Sequence, residues 1–187
     1  MEFPLYIITY EPTPNYLPLC LINKNTLGWN VLPLTPDKYK VWKNKNAPVP
    51  EGYIRMGHAP FKHFKELTLP RFIKYKDDFK GFFIAEGDVI IEPHFTPQYF
   101  KENYDITKPY WLGYKKRLKD YIVGNFLLYF PSSFLETLKE ECDKKKRPIF
   151  SDRFFSQLVF KGLIEVIPES VATEIPHISG TTGKFRK

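Results

Sequence analysis

Lys80-Gly81-Phe82-Phe83-Ile84-Ala85-Glu86-Gly87-Asp88-Val89-Ile90-Ile91-Glu92-Pro93 sets two short apolar runs on either side of an acidic break. Phe82 to Ile84 is rich in strand formers, and so is Val89 to Ile91. In an extended chain, residues two apart face the same side, so Glu86 and Asp88 present two carboxylates together. Gly87 between them lets another group come close to the backbone. Two carboxylates at the exit of a buried strand are costly unless something positive compensates them. A divalent cation with a bound phosphate compensates well, because hard cations take oxygen ligands. The same three residues also read as a polar hairpin turn, since Gly and Asp are turn formers.

Upstream, Leu5 to Tyr10 is an apolar, β-rich run, too short for a helix and too apolar for simple alternation. Glu11-Pro12-Thr13-Pro14-Asn15 stops it, as a plain turn or as the polar loop where open α/β sheets bind ligands. Residues 16–27 hold a short helix with Asn15 as its N-cap, and Trp29 to Leu34 is a second strand. This strand–helix–strand order is that of a βαβ unit, which places the chain in the α/β class. Tyr39 to Gly52 reads as an exposed loop. Gly57-His58-Ala59-Pro60 leads into a helix over Phe61 to Phe72, interrupted at Pro70. His58 and His63 are five apart, which is not a same-face ligand pair. His58, beside Gly57 at a helix start, is still a candidate to face a ligand.

Downstream, Glu92 to Lys108 is a polar, proline-punctuated connection. Tyr110 to Tyr114 is followed by Lys115, Lys116, Arg117 and Lys119, read as a solvated loop or as a nucleic-acid track. Tyr121 to Phe130 is a strand region with a Gly124-Asn125 break. Ser132 or Ser133 caps a helix whose Phe134, Leu135 and Leu138 pack inward. Lys144 to Arg147 crowd its C-terminus, where the helix dipole favours cations. Another helix runs to Lys161, with Gly162 as its stop. Asp152 either caps that helix or projects from its start as a base. Leu163 to Ile167 is the last short strand. The tail from His177 to Lys187 has little to pack and is either disordered or a segment that closes over a nucleotide diphosphate.

The chain has 187 residues, 43% hydrophobic and 17% aromatic, which fits one folded domain and excludes a disordered chain. Its net charge of +7 favours an anionic partner. Two distant cysteines, Cys20 and Cys142, give neither a disulfide framework nor zinc spacing. The start lacks a basic n-region, and no apolar run reaches membrane-spanning length. The expectation is a soluble, intracellular, cytoplasmic protein.

Taken together, Tyr6-Ile7-Ile8-Thr9-Tyr10, Gly57-His58-Ala59, Phe83 to Val89, and Gly124 to Leu138 followed by Asp152 resemble a small glycosyltransferase of the GT-A fold. The nearest likeness is to the lipopolysaccharide-type glycosyltransferase family 25. The chain departs from that family at Gly87, where an Asp is usual. The resemblance implies a single GT-A-like (Rossmann-like) α/β domain with a mixed, mostly parallel sheet flanked by helices. Residues 1–92 would be the nucleotide-sugar half, 93–176 the acceptor half and 177–187 a mobile basic tail. It implies metal-dependent, inverting transfer from a nucleotide diphosphate sugar, UDP-linked, to an acceptor hydroxyl. Asp88, Glu86 and His177 would hold Mn²⁺ or Mg²⁺. Thr9, Tyr10 and Glu11 would sit near base and ribose, with His58 and Glu86 also in the donor site. Lys184 and Arg186 would bind the diphosphate, and Asp152 would be the base.

The acceptor under this reading is a glycan or, given the charge, a modified DNA base, which leaves open a viral protein working in a host cell. The alternative is a non-catalytic, basic nucleic-acid-binding protein, in which Glu86 and Asp88 would repel phosphate. A third reading is a GT-A scaffold that binds nucleotide without turnover, prompted by Gly87.

Overall fold

The computed structural model describes residues 3–8, 24–34, 40–42, 46–55, 58–86, 89–117, 122–124, 127–147, 149–167 and 171–174. Strands β1 (Pro4–Ile8) and β2 (Asn30–Leu34) run parallel, with Pro4 opposite Asn30 and Ile8 opposite Leu34. Residues 24–26 between them are helical, and Gly28 turns the chain at a φ of 82° that side chains resist. β3 (Lys40–Trp42) and β4 (Tyr53–Arg55) form a separate parallel pair. Part of the expected 39–52 loop is therefore strand, which suits the β-formers Val41 and Trp42.

Helix α1 (Ala59–His63) passes through a π-helical turn (Phe64–Thr68) into α2 (Leu69–Lys74). The expected interruption at Pro70 does not occur. Pro70 has no N–H to give, and its ring would press on the carbonyl four residues back. The turn ahead of it widens instead, and the Leu69 N–H donates to the Phe64 carbonyl five residues back. Pro70 then falls in the first turn of α2, where proline is tolerated.

β5 (Gly81–Glu86) follows, then β6 (Val89–Ile91). The stretch expected as a bare connection contains α3 (Pro97–Asn103), capped by the Thr96 hydroxyl, which accepts from the Tyr99 N–H at 3.1 Å. β7 (Tyr110–Trp111) leads to β8 (Tyr114–Arg117), which pairs antiparallel with β9 (Ile122–Gly124). Lys115, Lys116 and Arg117 of the basic run thus lie on a hairpin strand, not in a loop, and Lys119 lies outside the described residues. β10 (Leu127–Pro131) enters a 3₁₀ turn (Ser132–Phe134) and α4 (Leu135–Asp143). No serine side chain caps this helix; the Ser132 hydroxyl donates to the Phe79 carbonyl at 2.6 Å. Helix α5 (Ser151–Phe160) has Phe150 at its N-cap position, so Asp152 lies in the first turn and is not the cap. β11 (Glu165–Val166) is followed by β12 (Ala172–Glu174), so residues 163–167 are not the last strand.

Six strands form one mixed sheet in the order β11-β7-β10-β5-β1-β2. β11/β7, β5/β1 and β1/β2 are parallel, and β10 is antiparallel to both its neighbours. Alternation decides which face each residue covers. Phe82, Ile84, Leu128, Phe130 and Trp111 pack under α1, α2, α4 and α5. Phe83, Ala85, Leu127, Tyr129 and Tyr110 pack on the other face, under α3 and the β6/β12 ribbon. This buried alternation on both faces explains why Phe82 to Ala85 reads as continuously apolar. Burial pushes the Cys142 thiol up to about 12, as for an inert core cysteine. Among the described residues, no helix is long and apolar enough to cross a membrane.

Candidate active site

Three parallel strands end level with one another. Ile8 pairs with both Leu34 and Glu86, so β1, β2 and β5 reach one carboxyl edge together. Adjacent strands lie about 4.8 Å apart. The segments beginning at Thr9 and at Gly87 therefore leave the sheet side by side. That edge is where open α/β sheets take ligands, because loops there vary while the strands stay fixed.

The helices gather further groups. Phe72 of α2 stacks on Phe82 at 4.5 Å, and Phe64 meets Phe130, the residue opposite Phe82, at 6.1 Å. The first turns of α1 and α5 meet through Phe61 and Phe154 at 4.7 Å. His58 meets Phe150 edge-on at 4.8 Å and 70°. Phe150 is two residues before Asp152, which is exposed in the first turn of α5. Two residues 94 positions apart in sequence, His58 and Asp152, are thereby gathered at one end of the helical layer.

The strands on either side of the Gly87-Asp88 pair are both held in place. Upstream, β5 is fixed by β1 and β10. Downstream, the wholly buried Lys24 donates to the Val89 carbonyl, and the Trp29 indole N–H donates to the Phe95 carbonyl at 3.0 Å. β12 pairs with β6 so that Glu174 lies opposite Val89. The last residue of β12 therefore lies beside the first residue of β6. His177 is three residues past Glu174, a reach of about 10 Å at full extension.

Glu86 is the last residue of β5. Thr9, Tyr10, Glu11, Asp88, His177, Lys184 and Arg186 lie outside the described residues. Among the described residues, no group of three or more His, Cys, Asp or Glu is placed to hold a metal. His63 is buried against the Thr68 hydroxyl, 3.4 Å from its Nδ1. Sequence reasoning missed Lys24 and Phe150. Lys24 sits in a polar Asn-Lys-Asn run that reads as surface, and its burial depends on β6, 65 residues away.

No protein-family model matches the chain, and no curated protein matches it. Among solved structures, it is similar to the crystal structure of a glycosyltransferase involved in the glycosylation of the major capsid of PBCV-1. The TM-score is 0.54 at 12% identity, over 88% of this chain and 81% of that one. At that identity the likeness is one of fold: the chain has a glycosyltransferase fold.

Proposed function

We propose that this chain is a metal-dependent glycosyltransferase of the family 25 type, which moves a sugar from a UDP-linked donor to an acceptor hydroxyl. The observation that carries the reading is the register of Ile8 with both Leu34 and Glu86. It ends β5 at Glu86, level with β1 and β2, at the carboxyl edge of a sheet whose fold is that of glycosyltransferases. The β6/β12 register supports a third ligand, because it sets Glu174, three residues before His177 in sequence, opposite Val89, the residue after Asp88.

The donor set fits the metal. Two carboxylates and one imidazole suit Mn²⁺ or Mg²⁺, which prefer oxygen and accept nitrogen donors. A cation held there supplies Lewis-acid neutralisation of the departing diphosphate. Thr9, Tyr10 and Glu11, one step beyond β1, contact base and ribose, with His58 and Glu86 completing the donor site. Lys184 and Arg186 donate charge-assisted hydrogen bonds to diphosphate oxygens. Asp152 takes the proton of the acceptor hydroxyl as that oxygen bonds to the anomeric carbon. The bond from that carbon to the diphosphate oxygen breaks in the same displacement, which inverts the centre.

Thermal unfolding with UDP, with and without Mn²⁺, tests the reading, since a ligand of the folded state raises the melting temperature. UDP should stabilise only with metal, and Asp88→Ala should remove the effect. Stabilisation by DNA or RNA, with none by any nucleotide diphosphate, would replace this reading with that of a nucleic-acid-binding protein.

A further inference from the structure

Four successive cations, Lys144 to Arg147, precede the proposed base, and they divide into two pairs. Lys144 reaches Glu141 at 2.7 Å and Lys145 donates to the Gln157 side chain at 2.5 Å. Those two hold α4 to its surroundings. Lys146 and Arg147 are exposed and have no ion-pair partner among the described residues. The same is true of Arg153, in the first turn of α5. Other lysines of this helical layer are matched by acids, as in Lys62–Glu66, Lys76–Glu136 and Lys139–Asp143. Lys146, Arg147 and Arg153 flank Phe150 in sequence.

The local shape agrees. Lys144 to Arg147 and Ile149 line an open concavity of about 390 Å³. Next in sequence to Ile149, Phe150 is 46% exposed and meets the His58 ring at 4.8 Å and 70°. An exposed aromatic ring offers apolar surface to a ligand. The apolar C–H face of a pyranose stacks on such a ring.

We propose that this is the acceptor subsite and that the acceptor is a sugar bearing a phosphate, an inference that rests on the transferase reading. The sugar ring lies on Phe150 and the phosphate between Lys146 and Arg147, whose guanidinium fork suits two phosphate oxygens. The reacting hydroxyl then turns toward Asp152. A nucleic-acid strand fits less well. The concavity holds one sugar phosphate, whereas nucleic acid gains affinity by neutralising many phosphates.

Calorimetric titration of the intact chain with hexose phosphates, the parent hexoses, inorganic phosphate and a short single-stranded DNA tests the site. A hexose phosphate should bind about tenfold tighter than its parent hexose and than inorganic phosphate, a difference of about 1.4 kcal/mol. The surface variant Lys146→Glu with Arg147→Glu should lose the preference over hexose. Phe150→Ala should lose the preference over inorganic phosphate. The proposal is overturned if hexose and hexose phosphate bind alike, if neither binds, if the charge-reversed variant keeps the preference, or if DNA binds more tightly. None of these outcomes depends on UDP and Mn²⁺, so the transferase reading is scored separately.

Discussion

Lys24 donates its ammonium hydrogen bond to the carbonyl of Val89, the residue that follows Asp88. Lys24 is wholly buried, among Trp29, Val89 and their apolar neighbours. A buried ammonium costs several kcal/mol in lost hydration unless its surroundings compensate. The hydrogen bond fixes the first residue of β6 to the β1–β2 connection, so the start of β6 is tied by a side chain as well as by its pairing with β12.

Lys24→Met keeps the length of the side chain and removes the donor. The buried Val89 carbonyl then lacks that partner, a loss of about 1–3 kcal/mol. Urea unfolding should show the loss, and metal-dependent stabilisation by UDP should weaken further than Lys24→Arg makes it. Equal UDP stabilisation in the Met variant and the native chain would show that Lys24 serves the core alone.

Glu141 accepts from Lys144 at 2.7 Å and from Lys161 at 2.5 Å, tying the end of α4 to the end of α5. Those hydrogen bonds, Lys144 first, hold its carboxyl down at about 2, against 4.5 ordinarily. A depressed carboxyl stabilises the fold fully above about pH 4.5, and that contribution is lost as pH falls through about 2. Glu141→Gln should cost about 2 kcal/mol at neutral pH, the scale of a hydrogen bond to a charged group. The gap between native and variant melting temperatures should close as pH drops toward 2. A gap constant with pH would mean that the carboxyl charge is not what holds the helices.

Gly81 opens β5 beneath the Tyr129 ring. A Cβ there would stand 2.6 Å from the Tyr129 Cζ, and the ring is wholly buried. The Tyr129 hydroxyl donates to the Ile106 carbonyl at 2.9 Å, which limits how far the ring can retreat. Gly81→Ala should therefore destabilise by about 1–3 kcal/mol through overpacking. Adding Tyr129→Phe should recover part of the loss in chemical unfolding, because it releases the ring from Ile106. A neutral Gly81→Ala would mean that the sheet shifts freely at this edge.

The frame of the fold was legible because its signals are local. Phe82 to Ala85 is apolar on both faces, and Leu5 to Ile8 and Trp29 to Leu34 bracket one crossover. The misses came where tertiary context overrides a local rule. Pro70 reads as a break, yet a π turn absorbs it. Lys115 to Arg117 read as a solvated loop, yet pairing with β9 makes them strand. For the site, the sequence pointed to His58 and Asp152 separately, and what relates them is the packing of Phe61 on Phe154 and of His58 on Phe150. Nothing local marked Lys24, because its burial is made by β6.

Asp152 provides the last prediction. It stands in the first turn of α5, beyond the N-cap position held by Phe150. A carboxylate there is mildly stabilising through the helix dipole, by about 0.3–1 kcal/mol. Asp152→Asn keeps the shape and removes the base. If Asp152 takes the acceptor proton, the variant should lose about 10²- to 10⁴-fold in kcat. Its metal-dependent stabilisation by UDP should be unchanged, and its melting temperature should fall only slightly. Steady-state transfer rates beside thermal unfolding read both quantities. A large fall in stability with an equal fall in rate would assign Asp152 to the fold. Unchanged kcat with a stable fold would move the base to another residue, with His58 first in line because its ring already rests against Phe150.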